Sequence, residues 1–191
     1  MRVAILLAAG ASRRFGAANK LFATVRGVML LDRALALVRQ APVQRLIVVT
    51  GSQSRRVAAA VRRRDRHAVL VRATDHREGM GASLRAAARQ LRPIDREALV
   101  FLADMPWLSP RLAARLVGAA RSGDGIVRPG SRRRPGHPVL LRGAELRRLS
   151  GAAGDAGLRG VDPARTVPSD RRCVADIDRP AGLTRIPPAL R

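Results

Sequence analysis

The stretch Val3-Ala4-Ile5-Leu6-Leu7-Ala8-Ala9-Gly10-Ala11-Ser12-Arg13-Arg14-Phe15-Gly16-Ala17-Ala18-Asn19-Lys20 opens on an unbroken apolar run and passes into a loop punctuated by two glycines. A short branched-residue run without alternation reads as a strand covered on both faces, the habit of parallel sheets. Gly10 and Gly16 permit backbone conformations and close approach that side chains would block. Exposed N–H groups there suit phosphate oxygens, and Arg13, Arg14 and Lys20 add positive charge. The spacing matches neither the G-x-x-x-x-G-K-[ST] loop nor the dinucleotide G-x-G-x-x-G. A purely structural turn has the same outline. Met1-Arg2, the apolar run and Ala9-Gly10-Ala11 also mimic a secretory leader, but at about eleven residues it falls short of the usual 15–30.

Outward from this stretch, further strands are predicted at Leu46 to Val49, Val69 to Val71 and Ala98 to Leu102. Helical periodicity separates them: Leu30 to Val38, Arg55 to Arg63 capped by Ser54, Ala82 to Leu91, and Pro110 to Ala120 with Ser109 as cap. The alternation predicts an α/β protein of three layers, α/β/α, with a mostly parallel sheet and right-handed crossovers. Beyond Gly123 the pattern thins. Ser131 to Pro138 reads as a basic loop, Val139 to Leu141 as a strand, Gly143 to Leu149 as a short helix and Gly151 to Gly160 as a glycine-rich loop. Val174 to Ile177 reads as a last strand, and the tail from Pro180 as loosely structured.

The 191 residues form a single expected domain with no repeat and no dividing linker. Net charge is +23, and of the 37 Lys and Arg residues all but Lys20 are arginine. Such charge attracts polyanions. The arginines are scattered through nearly every block of ten, however, and three Phe, one Trp and no Tyr leave little for base stacking. Nucleic-acid binding is therefore the lesser reading, and a solubilising arginine-rich surface the greater. Cys173 is the only cysteine, which excludes an internal disulfide and multi-cysteine metal sites. No apolar run approaches membrane-spanning length, so no membrane role is expected and the cytoplasm is the expected location.

In open α/β sheets ligands bind beyond the carboxyl ends of the strands. Asp104 follows the predicted strand Ala98 to Leu102 and is placed to hold a Mg²⁺ shared with phosphate oxygens, although a turn aspartate would look alike. Asp176-Ile177-Asp178, if extended, presents both carboxylates on one face, so either could be the second ligand. A single lysine retained beside the glycine loop points to a compact charge among phosphates. Of the other candidates, His67 and His76 sit among charges and read as solvated. Trp107 reads as packing or a stacking surface, Cys173 as inert, and Arg132 to Arg134 as a solvated loop or an electropositive lip.

Taken together these residues resemble the molybdenum cofactor cytidylyltransferases, within the Rossmann-like nucleotidyltransferases. Leu7 to Gly16 matches the family's L-A-A-G-x-S-x-R-x-G. Glu78-Gly79-Met80-Gly81-Ala82-Ser83-Leu84 is similar to its segment after the third strand, and Ala103-Asp104-Met105-Pro106 to its G-D-M-P motif. Gly136-His137-Pro138, Gly154-Asp155-Ala156-Gly157 with Arg159, and Asp176-Ile177-Asp178-Arg179-Pro180 resemble later motifs. The chain departs at Ala73-Thr74, where relatives often carry Asn-Pro, at Pro135, where an arginine is common, and in Leu21 to Thr24, which lacks a proline.

The resemblance implies transfer of CMP from CTP to the phosphate of molybdopterin, releasing pyrophosphate, with Mg²⁺ as cofactor. It implies nucleotide binding by Leu7, Ala8, Ala9, Gly10, Ser12, Arg14, Lys20, Gly79 and Ser83, and chemistry at Arg14, Lys20 and Asp104. Metal falls to Asp104 with Asp178 or Asp176, and acceptor contact to His137 and Asp155. Paired alanines after Leu7 resemble the cytidylyl branch; guanylyl relatives more often carry Ala-Gly-Gly. GTP as donor, or a sugar phosphate as acceptor, are the alternatives within the class. A recipient molybdoenzyme or its chaperone is the implied transient partner.

Overall fold

The computed structural model describes residues 1–183 apart from 17, 155, 156, 159 and 160. Among the described residues ten strands appear in chain order: β1 (Arg2–Ala8), β2 (Thr24–Val25), β3 (Val28–Met29), β4 (Arg45–Thr50), β5 (Val69–Arg72), β6 (Glu97–Leu102), β7 (Ile126–Ser131), β8 (Arg134–Pro135), β9 (Val139–Arg142) and β10 (Arg165–Pro168). Five helices accompany them: α1 (Leu30–Arg39), α2 (Ser54–Arg64), α3 (Met80–Ala88), α4 (Leu112–Ala119) and α5 (Gly143–Arg148). The main sheet runs β10-β7-β9-β6-β1-β4-β5, with β8 paired to β7. β1 pairs in parallel with both β4 and β6, β4 with β5, and β10 with β7, while β9 runs antiparallel between β6 and β7.

The apolar run of β1 is buried on both faces, and its period-two side chains divide between two cores. Ala4, Leu6 and Ala8 pack with Leu35 of α1, Val57 of α2 and Leu116 of α4. Val3, Ile5 and Leu7 pack with Leu84 of α3 and Leu146 of α5. This is the expected three-layer α/β/α arrangement. Among the described residues no helix is long and apolar enough to cross a membrane.

Several expected details differ. Ser54 is the first residue of α2, not its cap: the chain leaves β4 through a left-handed Gln53, φ 51°, which makes no side-chain cap. Ser109 and Pro110 form a turn, Leu112 N–H donating to Ser109 O at 3.0 Å, and α4 begins after it. The stretch from Val174 to Ile177 is not a strand. Val174 closes a 3-10 turn, Arg171–Val174, and the sheet is completed instead by β10 beside β7; the sequence reading missed β10 along with β7 and the β2–β3 hairpin. Pro180–Leu183 makes a 3-10 turn, and the tail expected beyond it, 184–191, lies outside the described residues.

Candidate active site

A cleft of about 610 Å³ opens beyond the carboxyl ends of β1, β5 and β6, lined by Leu7, Ala9, Gly10, Ser12, Arg14, Lys20, Gly79, Ser83, Asp104, Asp176 and Asp178 among others. Most of the expected nucleotide and metal residues thus share one wall-to-wall site. A larger cavity of about 860 Å³ lies at the other end of the sheet, where β6 and β7 begin. Its Asp95, Glu97 and Asp124 are already held by Arg45, by Arg2 and Arg142, and by Arg165. The strand-end cleft is therefore the better candidate.

The loop after β1 is built to deliver Lys20. Ser12 sits in the left-handed region, φ 53°, and its Oγ accepts from Lys20 N–H at 3.1 Å while donating to Asn19 Oδ1 at 3.3 Å. Asn19 Oδ1 also accepts from Leu21 N–H at 3.0 Å, starting the 3-10 turn Lys20–Phe22. Asn19 was not a candidate from sequence, because its task is to close a loop onto a residue seven positions back. Ala8 differs from the other loop residues: it is buried in the core shared with α1 and is not part of the cleft lining.

Lys20 Nζ lies 2.5 Å from Asp104 Oδ2 and 3.3 Å from Asp178 Oδ1, and Arg14 reaches Asp178 Oδ2 at 2.7 Å. Burial alone would lower the Lys20 pKa, but Asp104 and then Asp178 outweigh it and hold the ammonium above its ordinary value. Asp176 shifts upward, first through desolvation and then through the neighbouring Asp104 and Asp178 charges. One oxygen from each of Asp104, Asp176 and Asp178 falls within 4.8 Å of the others. Asp104 Oδ1 is buried and has no hydrogen-bond partner among the described residues. An all-oxygen trio with an orphaned acceptor fits a hard divalent cation such as Mg²⁺ or Mn²⁺.

The acidic pair is held from behind. Ile177 N–H donates to Asp104 O at 2.9 Å, and the Ile177 side chain is buried with Trp107, Val25 and Leu30. Trp107 is thus the packing residue of the two readings, and its apolar burial fixes where the flanking carboxylates stand.

On the opposite wall Gly79 adopts φ 115°, a glycine conformation that starts α3. Gly81 N–H donates to Gly154 O at 2.9 Å, so Ala153 and Gly154 pack on the start of α3. His76 lines the cleft, against the expectation of a solvated ring, and Arg77 beside it is a cation the sequence reading passed over. His137 is buried, its backbone N–H donating to Cys173 O at 2.8 Å, and it is not among the lining residues. Asp155 and Arg159 lie outside the described residues. Arg132 and Arg133, both at positive φ, form the exposed β7–β8 turn. Cys173 is fully buried, and burial pushes its thiol pKa up, in keeping with an inert role.

This fold and cleft are those of a nucleotidyltransferase. The MobA-like NTP transferase domain model matches residues 4–167, and the chain belongs to that family. Among curated proteins none matches it. Solved structures similar in fold include Rv0371c from Mycobacterium tuberculosis, 24% identical over 95% of this chain and 94% of that one, TM-score 0.75. A nucleotidyl transferase from Methanothermobacter is 22% identical over 95% and 94%, TM-score 0.77. Molybdopterin-guanine dinucleotide biosynthesis protein A from Archaeoglobus fulgidus is 20% identical over 96% and 95%, TM-score 0.65. Rv0371c is also known as a complex with manganese, which matches this chain at 24% identity over 88% of each, TM-score 0.71.

Proposed function

We propose that this nucleotidyltransferase moves CMP from CTP to the phosphate of the molybdenum cofactor and releases pyrophosphate. The observation that carries the reading is the meeting of Lys20 with Asp104 and Asp178 beside a glycine loop at the strand ends. An acceptor phosphate oxygen bonds to the α-phosphorus as the bond to the bridging β-phosphate oxygen breaks. The electron pair leaves with pyrophosphate. An ionised phosphate needs no general base, so the protein's task is alignment and charge neutralisation.

Lys20 and Arg14 neutralise the leaving pyrophosphate, and the loop Leu7 to Ser12 with Gly79 and Ser83 seats the nucleotide. Asp104, with Asp178 or Asp176, would hold Mg²⁺, which supplies positive charge to the phosphate oxygens. The manganese form of Rv0371c supports a divalent ion in this fold. CTP is favoured by Ala8-Ala9, the paired alanines of the cytidylyl branch. Acceptor contact by His137 and Asp155 draws no support from the cleft lining and stands on the resemblance.

The test offers CTP, GTP, ATP and UTP with Mg²⁺ and molybdenum cofactor, reading pyrophosphate and the dinucleotide product. The expected result is product with CTP, abolished in Asp104→Ala. Product with GTP alone would overturn the cytidylyl assignment and leave nucleotidyl transfer standing.

A further inference from the structure

The wall of the cleft away from the acidic trio carries His76, a side chain the proposed chemistry does not use. Its ring is seated by backbone: a Cβ at Gly51 would stand 2.7 Å from His76 Cγ and 2.6 Å from Ala9 O, so only glycine lets ring and loop lie this close. His76 Nδ1 is 3.1 Å from Ala73 O. A carbonyl only accepts, so Nδ1 carries the hydrogen, and in the neutral ring Nε2 is a hydrogen-bond acceptor. The segment bearing the ring is tied down by Arg85, which pairs with Asp75 at 2.5 Å and Glu78 at 2.8 Å. The ring lines the cleft with its one engaged nitrogen turned to backbone, so the polar atom left for a ligand is Nε2.

Position says which part of a ligand it meets. In the sheet order β6-β1-β4-β5, Asp104 follows β6 and His76 follows β5. The ring reaches back from the end of β5 to Gly51 and Ala9, so it stands on the β4–β5 side of the glycine loop while Asp104 stands on the β6 side. With phosphates at Lys20 and Asp104, the base falls at the His76 wall.

We infer that His76 reads the base, Nε2 accepting from the exocyclic 4-amino group of cytosine. Uracil presents a carbonyl oxygen at that place, acceptor against acceptor, and is rejected. The inference rests on the cytidylyl reading above and names the feature of CTP that the site selects.

The test is equilibrium binding of CTP and UTP with Mg²⁺, by calorimetry, to the wild type, His76→Phe and His76→Gln. Phe keeps a ring without an acceptor; Gln keeps an acceptor without the ring. The expected result is wild-type preference for CTP, a roughly ten- to hundredfold fall in the CTP:UTP affinity ratio in His76→Phe, and partial recovery in His76→Gln. An unchanged ratio in a His76→Phe protein that still binds CTP overturns the role of His76 and spares the proposed function. A wild type that binds UTP as well as CTP, or neither, overturns the cytidylyl reading itself.

Discussion

Lys20 stands where one positive charge must serve two partners. Its side chain is 11% exposed and bridges Asp104 and Asp178, the same carboxylates that suit a divalent cation. Removing it should therefore move two measurements in opposite directions. Lys20→Ala is expected to slow pyrophosphate release about 100- to 1000-fold, as for other preorganised charge stabilisers. The same change should tighten Mn²⁺ binding in the absence of nucleotide, read by paramagnetic resonance, because the competing ammonium is gone. Lys20→Arg should recover little turnover, since a planar fork does not replace a point charge in so enclosed a place. Weaker Mn²⁺ binding in Lys20→Ala would mean that the lysine supports the trio instead of competing for it. Lys20 and Asp104 were legible in the sequence because residue type alone marked them: one lysine in an arginine-rich chain, and one carboxylate after an apolar strand. Asn19 and His76 were not. Their placement depends on Ser12 and on Gly51, and no local pattern announces a contact made across a loop or between strands.

Glycines inside helices separate positions that need empty space from positions that merely have it. A Cβ on Gly81, in the first turn of α3, would lie 2.6 Å from the Ala153 carbonyl carbon, whereas one on Gly118 in α4 meets nothing within 4 Å. Alanine in a helix ordinarily stabilises by about 0.5–1 kcal/mol relative to glycine, and Gly118→Ala should show that gain in a urea midpoint. Gly81→Ala should reverse the sign and lose about 1–3 kcal/mol, the usual consequence of overfilling a packed contact. It should also weaken nucleotide binding, because Gly79 and Ser83 belong to the segment that would be displaced. A stabilised Gly81→Ala would show that the loop around Ala153 yields freely. The central strands β1, β4, β5 and β6 were readable because burial on both faces leaves continuous apolar runs. β7 was hidden by its own Pro129-Gly130, which reads as a turn, and β10 by the short stretch Arg165–Pro168, which ends in proline. Val174 to Ile177 looked like a strand because its apolar residues pack inward, but Ile177, the one fully buried, serves the Trp107 cluster and not the sheet.

Charge over the entire chain sets how it responds to acid. With net charge +23 at neutral pH, each carboxylate that protonates adds to self-repulsion. Three carboxyls stand below their ordinary range because an arginine bonds each in the folded state: Asp75 by Arg85, Asp124 by Arg165 and Asp170 by Arg172. Asp124 joins parts distant in sequence, its Oδ2 2.7 Å from Arg165 Nε on β10 while also accepting from Arg121 N–H at 2.9 Å. A carboxyl whose folded value is depressed stabilises the fold fully above its unfolded value, near 3.8, and loses that contribution as pH falls through the lower folded value. Melting temperature should accordingly hold near neutrality and fall steeply below about pH 4. Asp124→Asn should melt lower at pH 7 and lose less on acidification, so that the two curves converge at low pH. Added salt should narrow the acid loss in both by screening the arginines from one another. Parallel curves for wild type and Asp124→Asn down to pH 2 would show that the Asp124–Arg165 pair contributes nothing to the pH dependence.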